Sequence, residues 1–469
     1  MLKLERIIAL AAVALVAACT APVGPQSSGI DAAPQWAKLA DGQGGGYLAG
    51  DAGASVDQTW WARFRDPALD RLVAEALANN KSLAIAKARV EEARAGRLLA
   101  QSALAPQVNA TASSERSNRG FLTNDHPVTI NQVAISAAWE VDLFGRNQAR
   151  TAQATAILQS ADASQQAVRV ALLAEVARTY FDLRDYAQQI DITQRNLDSQ
   201  RRTLQLIQAQ MRGALASNFD VQRAAAQVSA TESLLPALRT GYDGAMNRLS
   251  NLLGRTPGTL ASSLAPSLSD AHAWQPIDQD IVVSAPATVL RERPDVRAAE
   301  RQFAASIAAR KAAVAELFPN ISLTAFFGAQ NATPFSSTPW GIGAGLIQPV
   351  LNFGRIRSQI DAADQRQTQA YLTYQQTVLD ALEDMENALS GYINENARNA
   401  SLTAGVAQNR KAAELAQKQF RQGYVGLLDV LVAERDLLDA ESRQAASDAN
   451  LRKSLVRIFA AAGGGWQAQ

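Results

Sequence analysis

The sequence predicts an α+β chain built as a duplicated unit of helix, β-hairpin, long helix and return helix. Three observations carry that expectation. Residue n of the first half recurs as residue n+209: Leu143-Phe144-Gly145-Arg146 lies over Asn352-Phe353-Gly354-Arg355, Arg212 over Arg421, Asp220-Val221 over Asp429-Val430 and Gly254 over Gly463. A register held without a gap needs long elements of equal length, because loops tolerate insertions and such elements do not. No proline falls between Gly145 and Arg212 or between Gly354 and Gln422, so each stretch supports a helix on the order of 100 Å long. Ahead of each stretch the hydrophobic period changes from near 3.6 to 2, the mark of strands.

A repeat spanning most of the 469 residues argues for one elongated unit. With 45 basic and 44 acidic residues the net charge is +1, which leaves no electrostatic footprint for nucleic acid. Sparse aromatics and a mean hydropathy of −0.11 suit long helices and not a helical membrane protein. Cys19 is the only cysteine, and His126 and His272 stand far apart, so neither an internal disulfide nor a Cys/His metal site is expected, and no cofactor.

Residues 1–18 read as a signal peptide: Lys3 and Arg6 precede an apolar run over 7–18, too short to span a bilayer. The string Leu15-Val16-Ala17-Ala18-Cys19 resembles a bacterial lipobox, in which the cysteine is acylated and becomes the mature N-terminus. An ordinary signal peptide with a chance cysteine is the other reading. Thr20, in place of Asp, favours the outer membrane. Residues 19–58, with Gly44-Gly45-Gly46, read as a flexible tether.

The first repeat covers 59–254. Leu69, Leu72, Val73, Ala76 and Leu77 have helical spacing, and Asn79-Asn80 end the run. A second helix over 82–104 stops before Pro106; its counterpart over 295–317, in the second repeat (291–463), stops before Pro319. Hairpins follow at about 107–142 and about 320–350. Val133, Ile135, Ala137, Trp139 and Val141 alternate with Ala134, Ser136, Ala138, Glu140 and Asp142; in the second copy Ile321, Leu323, Ala325 and Phe327, then Trp340, Ile342, Ala344 and Leu346, alternate. Turn-rich segments at 113–127 and 330–339 separate the strands.

Long helical hairpins occupy 145–254 and 354–462. The first carries a seven-residue stripe of Val176, Leu183, Ile190, Leu197, Leu204 and Met211, answered by Val221, Val228, Leu235, Tyr242 and Leu249, which predicts coiled-coil packing. The second keeps Met385, Tyr392, Val406 and Phe420 but has Asn399 and Ala413 in the stripe. Pro236 should break the first return helix, where the second has Ala445. Four prolines mark 255–290 as a linking belt, and 464–469 form a tail.

Four strands with one apolar and one polar face cannot close a barrel within one chain, and open edges are not tolerated in lipid. Strands that span a membrane would need two, three or four copies to give eight, twelve or sixteen strands. Two soluble hairpins capping helices are the alternative. A polar face running directly into helices of ~100 Å makes a conduit the more economical reading.

The order helix, hairpin, long helix, tip and helix, twice over, resembles the outer-membrane efflux channels of the TolC type, and the lipobox makes it resemble their lipoprotein (NodT-like) branch. The matching residues are the two Phe-Gly-Arg junctions at 143–146 and 352–355, Leu-x-Pro at 104–106 and 317–319, and the tips at 212–217 and 423–430. Roughly residues 60–463 are covered. The resemblance implies a homotrimer: a twelve-stranded β-barrel in the outer membrane lipid of a Gram-negative bacterium, continued by a coiled-coil α-helical barrel in the periplasm. It also implies a periplasmic adaptor (membrane fusion) protein and an inner-membrane pump of the RND type as partners. Such a channel does no chemistry itself.

Asp220 and Asp429 stand at equivalent positions just after the tips. In a three-fold assembly each forms a ring of carboxylates, and in the family this region is the periplasmic gate. The family often has a further aspartate three residues on; here that place is Val432. The other, compatible, reading is that both stabilise the start of a return helix, since Ser217 and Asp220 have capping-box spacing. Ala214, Leu215, Ala216 and Ser217, with Val425, Gly426, Leu427 and Leu428, read either as the adaptor docking tip that the resemblance implies or as tight turns needing small residues. Gly145 and Gly354 fit sharp strand-to-helix turns, and Arg146 and Arg355 are expected to pair with carboxylates there. Phe335 and Trp340 border the second hairpin's loop, at an expected membrane interface.

Two rivals remain: the same duct serving type I protein secretion, and a non-conducting lipid-anchored coiled-coil scaffold, against which the polar strand faces count. No enzyme is expected, because no glycine loop has phosphate-binding context and the carboxylates are spread along helix faces.

Overall fold

The computed structural model describes residues 26–40, 48–51, 58–118, 127–260, 264, 274, 281–332 and 335–465. The signal peptide, Cys19 and half of the 255–290 belt lie outside these residues.

Strand β1 (Leu48–Asp51) precedes a 3-10 turn at Trp60–Phe64, helices α1 (Pro67–Asn79) and α2 (Lys81–Ser102), and strands β2 (Gln107–Ser117) and β3 (Val128–Val141). Helix α3 (Arg146–Arg212), then α4 (Asn218–Glu232) and α5 (Leu234–Leu252), complete the first copy. The second copy runs through β4 (Ile281–Ser284), α6 (Pro286–Glu292), α7 (Pro294–Ala315), β5 (Asn320–Ala332), β6 (Phe335–Ser337), β7 (Trp340–Ile347), α8 (Arg355–Arg421) and α9 (Leu427–Ala461). Helices α2 and α7 have 22 residues each, and α3 and α8 have 67 each. The step from Lys81 to Pro294 is 213 residues and that from Arg146 to Arg355 is 209, so the hairpins absorb the difference.

The chain packs as two compact units, each drawn from both copies. One holds the described residues up to Ile30, with Lys87–Ser164 and Asp295–Val378; the other holds Asp31–Ala86, Gln165–Pro294 and the chain from Leu379 on.

The first unit contains an antiparallel sheet in the order β2-β3-β5, with β6 and β7 both pairing β5. Its strands are longer than the side-chain pattern predicts. The polar run Ser113–Ser117 stays in the ladder against Val128–Gln132, and Ser114 Oγ donates to Asn131 Oδ1 at 2.7 Å. Backbone pairing carries a ladder past the point where hydrophobic alternation stops.

The second unit holds the main apolar core. Leu69, Leu72 and Val73 of α1 pack with Leu173, Tyr180 and Phe181 of α3 and with Leu249, Leu455 and Phe459. Trp60 is 1% exposed and stacks on Phe459 at 5.5 Å between centroids. Asp66 caps α1, accepting from the Ala68 N–H at 2.9 Å, and also accepts from Tyr180 Oη at 2.7 Å and Arg184 at 3.0 Å. Burial pushes the Tyr180 phenol up. Arg184 and Arg452 each lie 4.2 Å from the Trp274 ring centroid. Burial lowers Arg452 to about 10.

Part of the predicted flexible tether is seated. Trp36 is buried, its Nε1 donates to the Ser284 carbonyl at 2.9 Å, and β1 pairs in parallel with β4. Composition could not show this, because a few contacts of Trp36, Ala37 and Leu39 with residues far away in sequence seat a stretch whose composition reads as a linker.

The return helices differ as Pro236 and Ala445 predict. The first is interrupted at Ser233 and resumes with Pro236 in the opening turn of α5; the second is one continuous helix through Ala445. Both end in a Schellman turn at a glycine with positive φ: Arg255 N–H donates to Ser250 O across Gly254, and Gly464 N–H to Phe459 O across Gly463. Each end is also tied down from the start of the repeat's second helix. Asn80 Nδ2 donates to Leu252 O at 2.8 Å, and Arg293, at the equivalent place, donates to Ala461 O at 3.0 Å.

Asn80 also accepts the Leu83 N–H at 3.0 Å, so its side chain serves two helix ends at once. Asn80→Ala should cost about 1–3 kcal/mol, read as a lower denaturant midpoint. Asn79→Ala, at an exposed neighbour, should stay within about 0.5 kcal/mol of the parent.

Candidate functional site

Three places carry the functional expectations: the sheet, its junction with the long helices, and the helix tips. On one face of the sheet Val108, Ala137, Ala325 and Ile342 form a cross-strand row, and Ala110, Ile135, Phe327 and Trp340 form the next. Ile342 is 82% exposed and Trp340 71%. Apolar rows in which Val108, Ile135, Phe327, Trp340 and Ile342 stand open fit a non-aqueous neighbour. The opposite face is polar and small: Gln107, Ala138, Thr324 and Gly343 in one row, Asn109, Ser136, Phe326 and Gly341 in another. Phe326 is the exception. A Cβ on Gly341 would come within 2.6 Å of its ring, so the phenyl covers the bare backbone of that glycine. Among the described residues β2 and β7 each have one edge unpaired.

At the junctions Gly145 and Gly354 have φ of +75° and +86°. The two copies then part. In the first, Asp142 accepts the N–H groups of Asn147 at 3.0 Å and Gln148 at 2.7 Å, and Arg146 pairs with Glu140 at 2.5 Å. In the second, Arg355 contacts Gln359 Oε1 at 3.4 Å in place of the expected carboxylate. The reason is in the register: Pro349 and Leu351 occupy the places of Glu140 and Asp142. Exposed Phe144, Phe318, Val350, Leu351 and Phe353 surround the turn, with Phe144 stacked on Phe318 at 4.9 Å.

Both tips close with the same hydrogen bonds. Leu215 N–H donates to Gln210 O and Ala214 N–H to Met211 O; Tyr424 N–H donates to Gln419 O and Gly423 N–H to Phe420 O. The left-handed position of this turn is Ala214 (φ +58°) in one tip and Gly423 (φ +80°) in the other. Asp220 completes a capping box: its Oδ2 accepts the Ser217 N–H at 3.1 Å and Oγ–H at 2.7 Å, while Ser217 Oγ accepts the Asp220 N–H at 3.2 Å. These bonds from Ser217 hold the Asp220 carboxyl below its usual range. Asp429 Oδ2 accepts the Gly426 N–H at 3.0 Å. Both aspartates therefore serve as caps within the chain.

Of the tip residues named from sequence, Leu427 is buried with Ile207, Val221 and Leu431, whereas Leu215 is 82% exposed. Two open aromatics stand outside the docking set named from sequence: Phe219, which was missed, and Tyr424, which was placed in the tip but given no role. The n+209 register would have found them. Leu215 lies over Tyr424 and Phe219 over Leu428, so each tip exposes one leucine and one aromatic in exchanged positions.

A family model described as "Outer membrane efflux protein" matches residues 72–255 and again 285–464. The chain is 29% identical to the pyoverdine export outer membrane protein OpmQ of Pseudomonas aeruginosa, over 99% of this chain and 98% of OpmQ. It is 31% identical to nodulation protein T of Rhizobium leguminosarum bv. viciae, over 91% and 87% of the two chains. The solved structure of the outer-membrane channel OprN superposes with a TM-score of 0.86 at 31% identity, covering 96% of this chain and all of that one.

An alanine at φ +58° carries a steric cost that glycine lacks. Ala214→Gly should therefore stabilise its tip by up to about 1 kcal/mol, and Gly423→Ala should destabilise the other by a similar amount, read by hydrogen exchange at the last turns of α3 and α8. For Asp220 the folded pKa lies below 3.8, so its cap contributes above pH 3.8 and is lost as pH falls through the lower folded value. Exchange at the Ser217 amide, corrected for intrinsic rate, should quicken across that window, and Asp220→Asn should abolish the pH dependence.

Proposed function

The chain belongs to the outer membrane efflux protein family, and we propose that it is the outer-membrane channel of a tripartite efflux system, a passive gated conduit for small molecules. The observation that carries this is the sheet: one apolar face left open, one small polar face, two edges unpaired among the described residues, and strands that lead within a few residues into helices of 67 residues. Lipid satisfies the first, a water-filled lumen the second, and pairing with other copies the third.

Three copies, joining β2 of one to β7 of the next, would close a twelve-stranded barrel, with the coiled-coil helices continuing it into the periplasm. Cys19 carries the lipid anchor on this reading. The tips meet a periplasmic adaptor, fed by an inner-membrane pump of the RND type; the open Leu215, Phe219, Tyr424 and Leu428 suit an apolar contact there. The small-molecule class is the one to which the pyoverdine export of OpmQ points. Asp220 and Asp429 form the periplasmic gate, using carboxylate oxygens beyond those engaged in capping.

Planar-bilayer conductance of the purified lipoprotein tests this, beside an Asp220→Asn/Asp429→Asn variant that removes charge and keeps a capping acceptor. The expected result is a small, steady wild-type conductance that rises several-fold in the variant. Equal conductances would remove the gate from these aspartates. If neither protein conducts although both are folded and inserted, the non-conducting scaffold replaces the channel.

A further inference from the structure

The apolar face of the sheet changes character within one row. Starting from the helix junction, its rows are Val141 with Ile321 and Leu346, then Trp139 with Leu323 and Ala344, then the two rows already described, then Val133 with Ala112 and Ala329. The next row on the same face is wholly polar: Ser114, Asn131, Asn331 and Ser336. Beyond it stand Arg116 and Thr129. All six of these side chains are exposed. Among the described residues neither polar row holds a carboxylate, and Glu115 alternates onto the other face.

The polar row borders a depression of about 490 Å³, whose walls include Asn131, Val133, Ala329, Asn331, Ser336 and Thr338. Ser114 Oγ donates to Asn131 Oδ1 at 2.7 Å, an orientation that leaves the two N–H donors of that amide to a ligand. Strands β3 and β5 carry the site and are paired on both sides within the chain, so no neighbouring copy is needed to form it. Its depth follows from the strand geometry. Val141 to Val133 is eight residues, about 27 Å of strand at ~3.4 Å each. A tilt of ~40° reduces this to a height of about 21 Å, close to the ~25 Å apolar band of outer-membrane barrels. Two residues further on, the polar row falls at head-group level.

We propose that this surface binds the head group of a phosphorylated glycolipid in the outer leaflet, with the acyl chains laid along the apolar rows below. The inference rests on the reading of the sheet as membrane-spanning. Sugar hydroxyls both donate and accept, and the amides of Asn131 and Asn331 with the hydroxyls of Ser114 and Ser336 offer both partners in a fixed array. Arg116, one row further out, meets the phosphate through charge-assisted bonds. Val133, Ile135, Phe327 and Trp340 stand open beneath to cover acyl chains. A glycerophospholipid supplies phosphate and acyl chains but no sugar ring, so the row of amides and hydroxyls discriminates between the two lipid classes.

The test titrates the purified full-length channel in detergent with phosphorylated lipid A, dephosphorylated lipid A or phosphatidylglycerol, and reads bound lipid by native mass spectrometry. The parent should hold phosphorylated lipid A about tenfold more tightly than phosphatidylglycerol. Asn131→Ala/Asn331→Ala/Ser336→Ala should remove that preference. Arg116→Ala should weaken phosphorylated lipid A about tenfold and leave the dephosphorylated form unchanged. Equal affinity of the parent for lipid A and phosphatidylglycerol, or a preference that survives the triple variant, would overturn the inference. So would displacement of lipid A by free glucosamine phosphate at matching concentration, which would make the depression a site for soluble sugars. Each variant should keep the parent's heat-modifiable oligomer and its conductance in bilayers free of lipid A. A parent that does not conduct there sinks the membrane-spanning reading and this inference with it; a conducting parent without the lipid A preference sinks this inference alone.

Discussion

Two helices of 67 residues that pack against the same neighbours must keep one register along their whole length. Gln417 of α8 donates to Ser199 of α3 at 3.1 Å, and both reach Glu434 of α9, at 2.7 and 3.2 Å. An insertion in either helix would displace every such contact beyond it. This is why, from the second helix of each copy onward, the length changes only in the hairpins, and why tip closure and return-helix ends recur at one spacing.

Within that shared frame the two copies chose different adhesives. The first return path meets α3 through Val221, Val228 and Leu235 against Ile207 and Leu197. The second buries carboxylates: Glu434 is 3% exposed and accepts from Ser199, Thr203 and Gln417, and Glu441 accepts from Arg410 at 2.7 Å and Asn196 at 3.2 Å. Apolar contact is indifferent to small sliding, whereas a buried carboxylate needs its donors in place. Helix α9 is accordingly fixed in rotation and register by chemistry that a hydrophobic seam lacks.

Periodicity and the internal repeat made most of this architecture legible: Val176, Leu183 and Leu197 of the stripe are buried and Ile190 partly so, Met385 and Tyr392 are buried, and Pro236 lies beside the interruption. What stayed hidden has a common cause. Ser113–Ser117 joined the ladder through backbone groups, which are the same in every residue. Asn80 looked like a helix breaker, and its second role depends on Leu252, far away in sequence. Arg355 looked like Arg146 until its own neighbours, Pro349 and Leu351, were weighed. At the tips, alignment of the copies exposes the exchanged leucine and aromatic, but Leu427 points inward for reasons of local packing that no spacing rule encodes.

The interruption at Ser233 makes the two tips of one chain mechanically unequal. Helix α9 runs unbroken for 35 residues from its tip, a stiff strut whose every turn is hydrogen-bonded to the next. The first return path is jointed after 15 residues. Axial force applied at the second tip is transmitted to the far end of the helix; at the first it is partly dissipated as bending at the joint. Chemically alike, the two tips of each chain thus differ in compliance.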